Sequence, residues 1–277
     1  MKRVICAALA AMCVLGCGCG KDNSKDKSEG KKAENAASFD IPKEKLEPGN
    51  YAAAWTEALE KQDFITESVS YSFIAIYMNY RVDVIPGDTE EEQNSFSDVR
   101  VTRTYHCKGE EFSINETSEK NTRFDSMDIS FDDFSANWEE DPQGAVDWYN
   151  VCGKLYRFMP NGYLDEPPMT CRYYDNENND MFFGSPVEAN SGIEGLDCIE
   201  AVVTEEGQVL EVYETGSGGR LEMYFDKETG HLLKVNSYSD KGGLSGRTYY
   251  NNAVFGTPSV ELPSLDGWTM EYGGGNG

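Results

Sequence analysis

From Val69 onward the apolar residues recur at every second position, and this alternation limits what the chain can fold into. Val69, Tyr71 and Phe73 alternate with serines, after which Ile74, Ile76, Met78, Tyr80, Val82 and Val84 continue on the other parity. A period of two belongs to a strand, whose side chains point to opposite faces in turn. The parity change near Phe73 predicts a bulge within one long strand. Val99, Val101, Tyr105 and Cys107 mark a second strand, with Arg100, Thr102, Thr104 and His106 on its other face. Shorter strands are expected around 112–114, 127–131, 146–151, 155–159, 169–173, 196–203 and 209–213. Gly153-Lys154 suits the turn between two of them. Leu221, Met223 and Phe225 alternate into Asp226-Lys227-Glu228-Thr229-Gly230, a turn with glycine at its left-handed position, and Leu232 to Tyr238 returns. Asp240-Lys241-Gly242-Gly243 leads into a further strand from Thr248 to Phe255. So many short antiparallel strands must curl, split or close. Only Tyr51–Lys61 has helical spacing, with Tyr51, Trp55, Ala58 and Leu59 on one face and Asn50 as the expected N-cap. The expected fold is mainly β (α+β): a large curved antiparallel sheet or incomplete β-barrel with one N-terminal helix packed against it.

The first residues address location. Met1-Lys2-Arg3 is basic, and Val4 to Leu15 is apolar. A bilayer-spanning helix needs about 20 apolar residues, so this run is too short to span and reads as a secretory signal. Gly20-Lys21 is followed by Asp22, so no phosphate-binding loop is formed. Val14-Leu15-Gly16-Cys17 resembles the lipobox of bacterial lipoproteins. That resemblance implies a lipidated Cys17 as the first mature residue, with Cys19 a second candidate. Acyl chains contribute about 0.8 kcal/mol per buried methylene, enough in combination to anchor the protein to a membrane it does not cross. The expected organisation is a signal peptide over 1–16, a lipidated flexible tether over 17–46, one β-rich domain over 47–265 and a disordered Gly-rich tail over 266–277.

Charge excludes some partners. The signal and the stretch 21–36 hold seven basic and four acidic residues of the 24 and 49 in the chain. From residue 37 onward 17 basic and 45 acidic residues remain, a formal charge of −28. Nucleic-acid affinity comes from Lys and Arg meeting phosphates, so no nucleic-acid partner is expected. A polybasic membrane-docking face is equally unsupported.

Four cysteines lie in the body, Cys107, Cys152, Cys171 and Cys198, an even number in an exported chain that permits two disulfides. None is spaced as Cys-x-x-Cys, and His106 and His231 are the only imidazoles, so no metal and no cofactor is expected. Asp175 to Asp180 offers oxygens at alternate positions but lacks glycine at the sixth and has Pro186 at the twelfth, unlike a calcium loop. His106 and Cys107 are neighbours on a strand and point to opposite faces, wrong for a nucleophile and its base. His231, following a turn glycine, reads as an exposed hairpin residue. No catalytic residue is assigned.

Tyr224-Phe225-Asp226-Lys227-Glu228-Thr229-Gly230-His231-Leu232-Leu233-Lys234-Val235 resembles the hairpin of LolA/LppX-like lipoprotein carriers, with Tyr249 to Phe255 and Val260-Glu261-Leu262-Pro263 similar to the strand and closing segment that follow it. The resemblance implies a curved, incomplete barrel whose helices cover an apolar cavity for acyl chains. The inward candidates are Ile74, Ile76, Met78, Val99, Val101, Tyr105, Leu221, Met223 and Phe225. The expected function is a non-enzymatic, membrane-anchored, extracytoplasmic lipoprotein holding an apolar or lipid ligand. Aromatic residues number 33 (4 Trp, 16 Tyr, 13 Phe); they read first as core packing between sheet and helix, and they also suit a lined cavity or the alternative of a surface module that binds glycan or peptide. A hydrolase using paired carboxylates stands third.

Overall fold

The computed structural model describes residues 46–73, 89–125, 136–162, 166–175, 186–191, 193, 195–251, 253–256 and 260–273. Thirteen strands form one open, curved sheet: β1 Phe64–Ser72, β2 Val99–Lys108, β3 Glu111–Asn121, β4 Trp138–Val151, β5 Lys154–Met159, β6 Thr170–Asp175, β7 Asp197–Val203, β8 Gln208–Glu214, β9 Arg220–Asp226, β10 Leu232–Tyr238, β11 Leu244–Tyr250, β12 Val254–Phe255 and β13 Thr269–Tyr272. The spatial order is β13-β6-β5-β4-β3-β2-β1-β11-β10-β9-β8-β7, with β12 beside β1. Sequence neighbours are mostly sheet neighbours. The step from β1 to β11 joins the two halves of the meander, through pairs such as Val69 with Tyr249. The sheet is not closed into a barrel.

The strands expected at 99–107, 155–159, 209–213, 221–225 and 232–238 form where the alternation places them. Strand β3 continues to Asn121 beyond its apolar start, because β2 pairs along its whole length from Val99–Lys120 to Lys108–Glu111. The second half of the expected long first strand, 74–84, and the expected strand at 127–131 lie outside the described residues. Thr269–Tyr272, inside the stretch expected to be a tail, adds to β6 in parallel. Its Thr, Met and Tyr are compatible with a strand, and the glycine run begins only after it.

Helix α1 spans Asn50–Lys61. Its N-cap is Gly49 rather than the expected Asn50: Gly49 has φ +82, a left-handed conformation that glycine adopts without strain, and no side chain of the local chain caps the helix. A carboxylate from the sheet does so instead. Glu211 on β8 accepts from Tyr51 N at 3.0 Å and Ala52 N at 3.1 Å. Among the described residues two further short helices occur, α2 Glu90–Ser95 and α3 Pro186–Ser191. Helix α2 has no apolar stripe to betray it; a capping box between Thr89 and Glu92 starts it.

The core lies where α1 meets one face of the sheet, here called the inner face. The cross-strand row Phe64, Cys107, Phe112, Asn150, Leu155 and Tyr174 is buried throughout. Tyr51, Trp55 and Leu59 of α1 pack onto this cluster, together with Met223, Phe225 and Leu232. Trp55, Phe225 and Leu232 are fully buried, and each such side chain contributes about 1.5–3 kcal/mol of apolar transfer. A smaller cluster of Phe73, Phe96 and Leu244 packs with Tyr71 and Tyr238.

Candidate binding face

The residues expected to line a cavity divide into three groups. Ile74, Ile76 and Met78 lie outside the described residues, as does the lipidation candidate Cys17. Tyr105, Met223 and Phe225 come together on the inner face with Leu221 beside them, and the side chains of α1 occupy the space in front of them. Val99 and Val101 share the parity of Tyr105 but are half-buried and stand outside that cluster.

The disulfide candidates are four free thiols: Cys107, Cys152, Cys171 and Cys198. Three strands separate Cys107 on β2 from Cys171 on β6, and Cys198 sits on β7, the opposite edge strand from β13. Burial pushes the Cys171 thiol up to about 12 and raises Cys107 well above its usual value. A thiol held protonated is a poor nucleophile. His106 beside Cys107 is itself buried and lowered to about 4 by that burial. His231 is buried rather than exposed, 1% accessible, because the hairpin folds its ring against Trp55 at 5.6 Å and Phe255 at 6.1 Å. Burial lowers its pKa, with Asp226 opposing. Among the described residues no cluster of His, Cys, Asp or Glu could hold a metal ion.

The opposite, outer face carries a feature that alternation alone did not reveal. Tyr149, Tyr156, Tyr173 and Tyr272 stand directly opposite one another on β4, β5, β6 and β13. Four neighbouring strands thus contribute one tyrosine each to a single row. Ring centroids are 6.3 Å apart for Tyr156 and Tyr173 and 5.4 Å for Tyr173 and Tyr272. Phe158 lies in the next row, edge-on to Tyr149 at 5.5 Å and covered by Trp268 at 4.8 Å. Lys154 places its ammonium 4.9 Å from the Tyr173 ring centre. The Tyr272 hydroxyl donates to Asp175 Oδ2 at 2.6 Å, a bond that raises its pKa. Tyr149, Tyr156 and Tyr173 are half-buried, whereas Tyr272 is 53% exposed.

Sequence reasoning placed three of these tyrosines on strands and noted the aromatic excess, but not their common row. Cross-strand register is set by turns and bulges, not by the residues of one strand. Tyr272 was hidden by the glycines around it.

No family model matches the chain. No curated protein matches it either. Several solved structures align with most of it at low identity. An uncharacterized conserved protein from Thermus thermophilus shares 8% identity over 80% of this chain and 96% of its own, with a TM-score of 0.41. A LolA superfamily protein from Nitrosomonas europaea shares 8% over 79% and 96%, with a TM-score of 0.27. In the MucA/MucB complex of Pseudomonas aeruginosa the matched chain shares 13% over 76% of this chain and 59% of its own, with a TM-score of 0.34.

Proposed function

We propose that this chain is a membrane-tethered, extracytoplasmic, non-enzymatic module that recognises a polysaccharide on the outer face of its sheet. The row Tyr149–Tyr156–Tyr173–Tyr272 carries the reading. Adjacent strands lie about 4.8 Å apart, so three steps give an aromatic strip of roughly 14 Å, the length of a short run of sugar rings. Apolar C–H faces of sugars stack on aromatic rings, while the phenol edges, Lys154 and Asp175 supply donors and acceptors beside them. An aromatic strip along a sheet face suits a saccharide better than a peptide, which commonly adds to a sheet edge through its backbone. Lipidation of Cys17 would hold the module at the membrane.

The test is retention on insoluble polysaccharides and calorimetry with their soluble oligomers. If each ring contributes about 1 kcal/mol, as aromatic pairs do, the double variant Tyr156→Ala/Tyr173→Ala binds some 30-fold more weakly at a temperature where circular dichroism shows it folded. Equal binding by that variant would remove the reading, and binding of extended peptides in preference to saccharides would turn it toward peptide recognition. A second reading, an acyl ligand on the inner face, is favoured by the position of Val99 and Val101 beyond the α1 cluster. Native mass spectrometry showing copurified lipid would support it.

A further inference from the structure

Away from the tyrosine row, the outer face of β9, β10, β11 and β1 assembles a second constellation. Tyr224, Lys234 and Tyr249 face one another across three strands. The next row is Glu222, Asn236, Arg247 and Tyr71. Arg100, Arg103, Arg157, Arg172 and Arg220 each lie within ion-pair distance of a glutamate. Arg247, only 7% exposed, has neutral partners: its Nε donates to Asn236 Oδ1 at 2.8 Å and its Nη1 to the Tyr249 hydroxyl at 3.4 Å. On the neighbouring strand Lys234 lies 4.3 Å from the Tyr224 ring centre.

Neither cation forms an ion pair with a carboxylate among the described residues. Glu222 accepts from Tyr224, Tyr238 and Asn236 and pairs with Arg220 at 2.8 Å. Glu90, exposed on α2, acts on Lys234 and on the Tyr249 hydroxyl without forming an ion pair with Lys234. Burial, and then the charge of Arg247, hold the Lys234 ammonium below its usual pKa, and Glu90, Glu222 and Glu206 only partly oppose this. Two partly desolvated like charges side by side are unfavourable unless something negative sits between them.

We propose that Lys234 and Arg247, flanked by Tyr224 and Tyr249, form a binding site for a small oxyanion, the carboxylate or phosphate group of a ligand. The two cations sit on adjacent strands, so both can reach one anionic group in charge-assisted contact. The site is distinct from the tyrosine row and does not depend on it.

The experiment measures the rate of reductive methylation of Lys234 in the full chain by peptide mass spectrometry, with Lys61 and Lys241 as exposed controls. Sodium phosphate, sodium glucuronate and sodium chloride are compared at matched ionic strength. Phosphate, glucuronate or both should slow Lys234 selectively: the first alone marks a phosphate group, the second alone a uronate carboxylate, and both a general oxyanion site. No slowing beyond chloride with either probe overturns the proposal. Lys234→Gln keeps the side-chain stem and leaves the Arg247–Asn236 bond in place; losing its charge-assisted contact should weaken calorimetric binding of the active probe about tenfold. Unchanged affinity in that variant also overturns the site. Probe binding should be unaltered in Tyr156→Ala/Tyr173→Ala, so failure here and failure of the polysaccharide reading are separable.

Discussion

Removing the Glu211 carboxylate would strand three donors in the interior at once: Tyr51 N, Ala52 N and the Tyr213 hydroxyl, which donates to Glu211 at 2.8 Å. Glu211 is fully buried, and burial followed by this neighbouring charge pushes the Tyr213 phenol well above its ordinary pKa. Glu211→Ala should therefore cost about 3–5 kcal/mol in urea unfolding, the scale for breaking a buried charged network, while Glu211→Gln, which keeps one acceptor, costs less. Met223, 1% exposed beneath α1, gives a complementary test: Met223→Trp overpacks a filled site and should lose about 1–3 kcal/mol. A variant as stable as the parent would instead reveal vacant space on the inner face. The capping role of Glu211 was not legible beforehand. In sequence Glu211 is one of 45 acids beyond residue 36, and nothing local marks the one that folds against a helix 160 residues away.

At the scale of elements, the β9–β10 hairpin was the most readable part because its turn is self-contained. Asp226 Oδ1 accepts from Glu228 N at 2.9 Å, Thr229 N at 2.7 Å and Thr229 Oγ1 at 2.9 Å. Burial pushes the Asp226 carboxyl up, but the Thr229 and Glu228 hydrogen bonds outweigh it and leave the pKa below 3.8. A depressed carboxyl stabilises the fold fully above its unfolded value and loses that contribution as pH falls through its folded value. The protection of the β9 and β10 amides, measured against their intrinsic exchange rates, should consequently fall below about pH 4, and Asp226→Asn should remove that acid-dependent step. Helix α1 was legible for the same reason of locality, through its spacing. Its cap was not, because the capping group belongs to another element. The tyrosine row falls between these cases: each tyrosine could be assigned to a strand, but their alignment needed three inter-strand registers.

At the scale of the whole molecule, both histidines bear on stability because both are buried as neutral rings. His106 titrates about 4 when folded against 6.5 when unfolded, and His231 is lowered as well. Their contribution is complete above pH 6.5 and is lost as pH falls toward 4, since the unfolded chain then binds protons the folded one refuses. Across that window His106 alone costs about 1.4 kcal/mol per pH unit, so Tm should drop between pH 7 and 5, with a smaller drop for His106→Gln relative to its own neutral-pH value. The open curved sheet and its few helices could be read from alternation and turn spacing. The order of strands could not, because the pairing of β1 with β11 joins segments whose sequences carry no mutual signal.

Glu211 also decides how the fold meets mechanical load. If lipidated Cys17 holds the chain at a membrane, drag on the described domain is met first by Leu46, packed against the inner-face core, and then by the start of α1. There the pull is resisted by two backbone bonds to a carboxylate rooted in β8, between β7 and β9. Tension is thus passed into the sheet at the helix's first turn, before it can peel the helix away residue by residue.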